Sequence, residues 1–523
     1  MMVQMDGVFN VSDMYRGHPK GLLRLVLVGM SESFGSAAAI AVLPLFLIDC
    51  FGLSIGASAL VQATFLLVMS FAFFFGGVLA DSYGFGKMVL AGVVTMFVGY
   101  LLLALPLGTA PTALGAVASA MFLVCIGSAL FRSNLHVLVG NLYDTITYSA
   151  KRDEGFCIFY MAVKVGSMFA AGFTYGIMDC LRTESGVSVD GPYHVAFALA
   201  CISLLFSAIV YLLSRGLFVR MERSGTVTDG MAKGWTKERM VFLWLLFAVV
   251  TLFWIAFRQN NNMLNMFARE YTASSESGLM SLFLSSSFAF TEIRSFWNLA
   301  LAVLAVYGMC GIFMSRSTKG KSAAAALLFV AVGVLVYRAC TVDGSINVAV
   351  PVYQQFTPCF VVALTPVMIM LFRALAKKGK EPSSPMKIGL GMLVAGVGFV
   401  LLLLGSMGLP TPDEQGVALE AGTATLVSPN WLISTYFVLT IAELLLSPIG
   451  ISFVSKVAPP KYKGMMMGGW FVATAIGNFL VAVPALLWGS LPLYIVWGVL
   501  IAVCLVSALF IFTILKRLEA VAK

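Results

Sequence analysis

Four charged side chains stand deep inside long apolar segments of the sequence. Arg132 and Lys164 are bases, and Glu32 and Glu443 are acids. A charge inside a bilayer is costly unless it faces water or a partner of opposite sign. The bases suit the anionic end of a solute, whereas a buried carboxylate takes up a proton or pairs with a cation. We therefore predict a solute transporter with a wet central site, in which Glu32 and Glu443 are proton-coupling candidates. Simple salt bridges between helices are the alternative.

A polar run interrupts a later apolar segment. The chain reads FWIAFRQNNN, so Arg258 and Gln259 begin five consecutive polar residues. Polar side chains inside a membrane span require water, a solute or one another. We therefore predict that Arg258 and Gln259 contribute to the substrate-binding site. A span that ends early, with Arg258 at the membrane surface, is the alternative.

The stretch GGVLADSYGFGK joins two apolar segments through a glycine-containing turn. Asp81 places a carboxylate at the end of the first segment, and Lys87 follows the turn. This spacing predicts a gate latch formed by Asp81 and Lys87.

The sequence lacks the patterns of an enzyme or a metalloprotein. It contains no Walker sequence, and its nine cysteines and three histidines are scattered without metal-ligand spacing. We therefore expect no enzymatic activity, no cofactor and no metal. The net charge of +9 is typical of basic loops beside a membrane, so we expect no nucleic-acid partner.

The elements that position these residues are apolar segments long enough to cross a lipid bilayer. Hydrophobic residues make up 60% of the chain and charged residues only 11%, against about a quarter in soluble proteins. About 20 helical residues span the hydrocarbon core. The candidate spans lie at about 22–48, 57–80, 87–107, 113–141, 156–178, 194–216, 238–268, 296–314, 323–341, 352–376, 388–407, 430–454, 465–488 and 491–515. These about fourteen spans predict an all-α membrane protein.

The positions of lysine and arginine predict the orientation of the spans. With a cytoplasmic N-terminus, the inner loops hold most of the bases, and the outer loops include the acidic stretch 411–423. Such an asymmetry follows the positive-inside rule. We expect a multi-pass protein of the plasma membrane, a bacterial inner membrane, with both termini in the cytoplasm.

A basic linker divides the spans into two groups. Residues 1–216 form a predicted N-terminal bundle of six spans, 217–237 a cytoplasmic linker, and 238–523 a C-terminal bundle of eight. The major facilitator fold has six spans in each bundle. Two spans are therefore extra. We assign them to about 296–341, where the spans lack interior charge.

Several motifs resemble the proton-dependent oligopeptide transporter (POT) family of the major facilitator superfamily. KRDEGFCIFYMAVKVG is similar to the family signature R-D-x-G-F-x-x-F-Y-x-x-I-N-x-G, and FRSNLHVLVGNLYD is similar to F-K-P-N-x-x-x-L-V-G-x-L-Y. The stretch ISTYFVLTIAELLLSPIGISFVSKVAPPKYKGMMMGGWF is very close to a third family pattern. The resemblance implies a secondary transporter that imports di- and tripeptides with protons by alternating access.

The resemblance also implies roles for individual residues. Arg132 stands at a lysine that meets the peptide carboxylate, and Glu443 stands at an acid that meets the peptide amino group. Trp254 and Trp470 match pocket aromatics. The candidate substrate-binding residues are Arg132, Lys164, Trp254, Arg258, Gln259, Glu443 and Trp470.

Departures from the family pattern leave a second function open. The first-helix signature E-x-x-E-R-F reads GMSESF, so Glu32 remains while Gly29 and Ser33 replace an acid and an arginine. Lys164 stands at a peptide-binding asparagine, and Arg258 stands where many members have an acid. Bases therefore outnumber acids. The alternatives are a uniporter or exchanger of another small organic anion, and a receptor that does not transport.

Overall fold

The computed structural model consists almost entirely of helices. It describes residues 17–106, 111–182, 190–226, 237–273, 275–276, 294–315, 317–341, 346–347, 353, 355–485, 487–489 and 491–522. The first six helices are α1 (Gly21–Phe51), α2 (Ile55–Tyr83), α3 (Phe85–Ala104), α4 (Pro111–Asn141), α5 (Arg152–Arg182) and α6 (Gly191–Thr226). The later helices are α7 (Lys237–Phe257), α8 (Met263–Glu270), α9 (Arg294–Met314), α10 (Thr318–Thr341), α11 (Phe356–Lys377), α12 (Ser384–Gly405), α13 (Pro412–Glu420), α14 (Asn430–Val457), α15 (Lys463–Phe479), α16 (Ala482–Ala485) and α17 (Leu493–Ala522). Two short strands, β1 (Ser275–Glu276) and β2 (Ile346–Asn347), pair antiparallel.

The helices coincide with the segments predicted to cross a membrane. Ten helices of the described ranges are long and apolar enough to do so, and Val241–Phe257 and Asn298–Met314 are shorter apolar helices. The predicted all-α membrane architecture is therefore confirmed. The first part of the predicted linker 217–237 is helical, because α6 continues to Thr226. Residues 227–236 lie outside the described residues.

Two predicted spans are interrupted. A 3₁₀ turn, Arg258–Asn261, divides the span predicted at 238–268 into α7 and α8, and the span predicted at 465–488 is divided into α15 and α16. The Gln259 side chain joins the two interruptions. Its amide nitrogen donates to the Val481 carbonyl (3.0 Å) and to the carbonyl four residues before it (3.2 Å). Side chains that satisfy free carbonyls make such breaks tolerable inside a membrane.

The helices pack in two halves that meet along two seams. In the first half, α1 packs on α5 and α6, and α4 packs on α2 and α3. In the second half, α12 packs on α14 and α17, and α7 packs on α15 and α17. The halves meet where α2 lies against α15 and where α5 lies against α11 and α14. Side chains on these seams are placed to contact both halves.

The predicted extra helices lie at the side of this arrangement. Helices α9 and α10 pack on each other, and α9 packs on α11. Only 11% of the most apolar window of α10 is buried. This exposure fits a helix that turns most of its surface to lipid.

Glycine allows the close approach of α2 and α15. A Cβ atom at Gly77 would lie 2.0 Å from the Gly464 carbonyl oxygen, and one at Gly468 would lie 2.6 Å from the Phe73 carbonyl oxygen. No larger side chain fits at such distances without moving the backbone. The two helices therefore touch backbone to backbone along this seam.

Candidate substrate-binding site

The first ion pair joins α1 to α4. Arg132 donates to the Glu32 Oε1 oxygen from Nη2 (3.0 Å) and from Nε (3.1 Å). Ser36, one turn further along α1, donates to the same oxygen (2.6 Å), and the Tyr100 hydroxyl donates to Ser36 (3.5 Å). The Glu32 side chain is 5% exposed and that of Arg132 is 29% exposed. The acid is thus held by one base and one hydroxyl, while the base keeps access to its surroundings.

The second ion pair joins the two halves, because Lys164 lies on α5 and Glu443 on α14. The Lys164 ammonium lies 3.0 Å from the Glu443 Oε1 oxygen, and the Tyr160 hydroxyl donates to that same oxygen. The Glu443 side chain is 2% exposed, and its other oxygen, Oε2, is buried without a hydrogen-bond partner in the described part of the chain. A buried oxygen without a partner costs about 1–3 kcal/mol. This atom is therefore a natural point of attachment for a donor.

A third base lies at the end of α7. The Arg258 guanidinium carbon stands 5.0 Å from the centre of the Trp254 ring, within the range of a cation–π contact. Its Nε nitrogen and the Trp254 Nε1 nitrogen are both buried without hydrogen-bond partners among the described residues. Helix α7, which ends directly before Arg258, contacts α14, the helix of Glu443. Arg258 therefore belongs to the same half as Glu443, and none of the ion pairs found in the described ranges includes it.

Two other candidates, Gln259 and Trp470, are buried. Gln259 is fully buried, and its amide nitrogen is occupied by the two backbone carbonyls at the helix breaks. Trp470 is 1% exposed and packs edge-to-face on Phe247. A Cβ atom at Gly450 would lie 2.1 Å from the Trp470 ring. In this conformation both side chains are buried in contacts with the protein itself.

The structure thus pairs Glu32 with Arg132, groups Lys164 and Glu443 around Tyr160, and places Arg258 against Trp254 at the end of α7. Sequence reasoning assigned Tyr160 no role in the site. Its signal was its position four residues, about one helical turn, before Lys164, which places both on one face of α5.

The two predicted latch residues lie in different surroundings. Asp81, at the end of α2, accepts hydrogen bonds from the backbone nitrogens of Gly464 (2.7 Å) and Met465 (2.9 Å) in the first turn of α15. A carboxylate at a helix N-terminus satisfies free N–H groups and the positive end of the helix dipole. Asp81 therefore contacts the opposite half. Lys87 instead lines a surface groove of about 400 Å³ together with Arg215.

Sequence reasoning missed a polar network that joins the halves at the same end of the molecule. Lys463 of α15 lies 2.6 Å from Asp144, and Arg152 of α5 lies 2.5 Å from the same carboxylate. Burial opposes ionisation, but Lys463 and Arg152 together outweigh it and hold the pKa of Asp144 below its usual value. Arg152 also donates to Ser455 of α14 (3.1 Å). The Asp144–Lys463 and Arg152–Ser455 contacts therefore join the α4–α5 connection to the second half.

The next acids along α5 extend this network. Asp153 accepts hydrogen bonds from Ser452 of α14 (2.6 Å) and from Lys387 of α12 (3.1 Å). Glu154 pairs with Arg373 of α11. The signal in the sequence was the pair of acids, Asp153 and Glu154, in a loop region otherwise marked by bases. Such acids have basic partners close by.

The comparisons with known proteins identify one family. The family model described as "POT family" matches residues 86–236 and 326–489. An uncharacterized transporter, YclF of Bacillus subtilis, is 24% identical over 96% of this chain and 95% of its own length. The peptide transporter YePEPT of Yersinia enterocolitica is 27% identical over 88% of this chain and 86% of its own length. A di-/tripeptide transporter of Lactococcus lactis is 24% identical over 87% of each chain.

Solved structures share the fold. A POT family transporter in complex with a thioalcohol-conjugated peptide superposes with a TM-score of 0.58, at 22% identity, over 96% of this chain and 98% of that chain. A POT family transporter in complex with 5-aminolevulinic acid gives a TM-score of 0.57, at 20% identity, over 96% and 98% of the two chains. The predicted major facilitator fold is therefore confirmed.

Proposed function

The chain belongs to the POT family, whose model covers more than half of its residues, and we propose from this premise that it imports di- and tripeptides by alternating access, coupled to protons. The relatives named as peptide transporters support the substrate class. We place it in the plasma membrane of a bacterium, with both termini in the cytoplasm. The halves 1–216 and 238–523 would then move against each other.

The Lys164–Glu443 pair is the observation that carries this proposal. It joins the two halves at 3.0 Å, and Lys164 is 26% exposed. A zwitterionic peptide offers a carboxylate to Lys164 and an ammonium to Glu443. It can therefore replace a contact between the halves with contacts to itself. A pair that forms without substrate and exchanges with it couples binding to the relative motion of the halves.

Proton coupling has a candidate in the other pair. Protonation of Glu32 removes the charge that holds Arg132, and the freed guanidinium can then join Lys164 as a second base for the peptide carboxylate. Proton uptake and substrate binding would then favour each other, because each stabilises the state that the other needs.

The test is peptide uptake into proteoliposomes under an inward proton gradient. We expect Ala-Ala to accumulate above its external concentration. Glu32→Gln should abolish accumulation but retain counterflow of labelled peptide, while Glu420→Gln, a substitution at an exposed site on α13, should behave as the parent. Failure of every di- and tripeptide to exchange would refute peptide transport. Accumulation by Glu32→Gln would refute the proton role.

The position of Arg258 favours one further candidate, a uniporter or exchanger of a small organic anion. An unpaired cation beside a buried ion pair calls for an anion. Counterflow of organic anions without any response to peptides would support this candidate over peptide import.

A further inference from the structure

Resting on the proposed peptide transport, we propose that Arg258 makes the protein selective for peptides that carry a carboxylate on a side chain. The proposal starts from the charges of the site. Glu32 is matched by Arg132, and Glu443 is matched by Lys164. Arg258 is the base that remains, and its guanidinium contacts the Trp254 ring.

A peptide without a charged side chain does not neutralise the excess positive charge of Arg258. Its terminal ammonium and carboxylate cancel, so they exchange with the Lys164–Glu443 pair and leave Arg258 as it was. A peptide with one acidic side chain brings one further negative charge. While Glu32 is ionised, the complex of this peptide with the site is electrically balanced, and a charge-assisted hydrogen bond to a guanidinium is among the strongest available.

The local geometry holds Arg258 ready for such a contact. The helix breaks directly at this residue, at the 3₁₀ turn Arg258–Asn261, and Gln259 anchors the turn to α15–α16 through the Val481 carbonyl. The Trp254 ring supports the guanidinium. Because these contacts restrict the side chain before a ligand arrives, little ordering remains to oppose binding.

The neighbourhood also places the guanidinium within reach of the substrate. Helix α7, which ends directly before Arg258, contacts α14, and α14 carries Glu443. A peptide whose ammonium meets Glu443 therefore lies in the half of the molecule that also carries Arg258. Its Nε nitrogen is buried without a partner in the described chain, so the residue has an unused donor.

The experiment compares peptides of equal shape and different charge. Purified protein in proteoliposomes is loaded with unlabelled peptide, and counterflow of the same labelled peptide is measured for Ala-Glu against Ala-Gln, and for Glu-Ala against Gln-Ala. We expect the parent to exchange the acidic member of at least one pair about tenfold faster at limiting concentration. Arg258→Gln should reduce this ratio to about one, and Arg258→Glu should transfer the preference to Ala-Lys.

Two controls separate the charge of Arg258 from its structural role. Arg258→Lys should keep most of the preference, and Arg269→Gln should keep all of it, because Arg269 is an exposed base on the adjacent α8. If the glutamine and glutamate variants do not fold, Arg258→His gives the comparison within one protein. Its acidic-to-neutral ratio should fall as the pH rises from about 5.5 to about 8 and the imidazole loses its charge.

The outcomes distinguish this inference from the function on which it rests. If the parent exchanges none of the peptides, both are overturned. If it exchanges Ala-Ala but treats acidic and neutral peptides equally, or if Arg258→Gln keeps the preference, only the role of Arg258 is overturned.

Discussion

At Glu32, a carboxylate is tolerated inside the helices because neighbouring hydrogen-bond donors stabilise its negative charge. Arg132 and Ser36 both donate to one of its oxygens. A buried pair is costly to form but still more costly to break, since the remaining partner is left as a charge without compensation. The energetic role of the pair is therefore visible only when both residues are changed.

We predict that Glu32→Gln lowers the free energy of unfolding by about 1–3 kcal/mol. The estimate is at the low end for a buried pair. Arg132 is 29% exposed, so water partly solvates the guanidinium that loses its carboxylate partner. Thermal melting in detergent measures the effect as a lower Tm. The double variant Glu32→Gln/Arg132→Gln should melt higher than the sum of the two single effects predicts. Additive effects would contradict the pairing.

The positions of the charged residues followed from the sequence, but their partners did not. A base or an acid within an apolar run is visible at once, as at Lys164 and Glu443. Their contact joins residues that are 279 positions apart in the chain. It depends on how α5 lies against α14, which no local pattern encodes.

At the scale of elements, hydropathy predicted where helices lie and missed where they break. The span predicted at 238–268 became α7, a 3₁₀ turn and α8, because the Gln259 side chain takes over backbone carbonyls at the break. The RQNNN run was the local sign, but it is equally compatible with a span that ends early.

The α2–α15 seam provides a prediction at this scale. Gly77→Ala should lower the free energy of unfolding by about 1–3 kcal/mol, because its Cβ atom would meet the Gly464 carbonyl oxygen at 2.0 Å. Gly115→Ala on α4 is the matched control, since no atom of the described residues lies within 4 Å of a Cβ atom there and alanine favours helix. The Tm and the rate of counterflow should both fall in Gly77→Ala and stay at the parent values in Gly115→Ala. Equal Tm values for the two variants would argue against direct backbone contact.

At the scale of the whole molecule, the two halves are fastened at one end by polar contacts. Asp81, Asp144, Asp153 and Glu154 each contact a residue of the second half. The basic loops predict that this end faces the cytoplasm. The structure is thus closed there by interactions that can be released one at a time.

The pKa of Asp144 leads to a prediction about pH. Because Lys463 and Arg152 lower it against the effect of burial, the carboxylate stabilises the fold above its unfolded-state pKa of about 3.9. This contribution is lost as the pH falls through the lower folded-state pKa. Asp144→Asn should therefore lower the Tm at pH 7. The free energy of unfolding should fall by less than about 1 kcal/mol, because solvent screens the pair. The difference from the parent should shrink on acidification below about pH 4.

Melting curves of parent and variant between neutral and acidic pH measure this difference. Lys380→Gln, at an exposed lysine of the nearby α11–α12 connection, is the control and should show no such convergence. A gap that stays constant with pH would mean that the charge of Asp144 is not what stabilises the closed end.

The Oε2 oxygen of Glu443, which has no hydrogen-bond partner among the described residues, bears on how loading could begin. An incoming ammonium can attach to this oxygen while Lys164 and Tyr160 still hold the other one. Exchange can then proceed by addition first and departure second, as in an associative ligand substitution. At no step does a bare ion stand in a medium of low dielectric constant, so the activation barrier to admitting a peptide stays small.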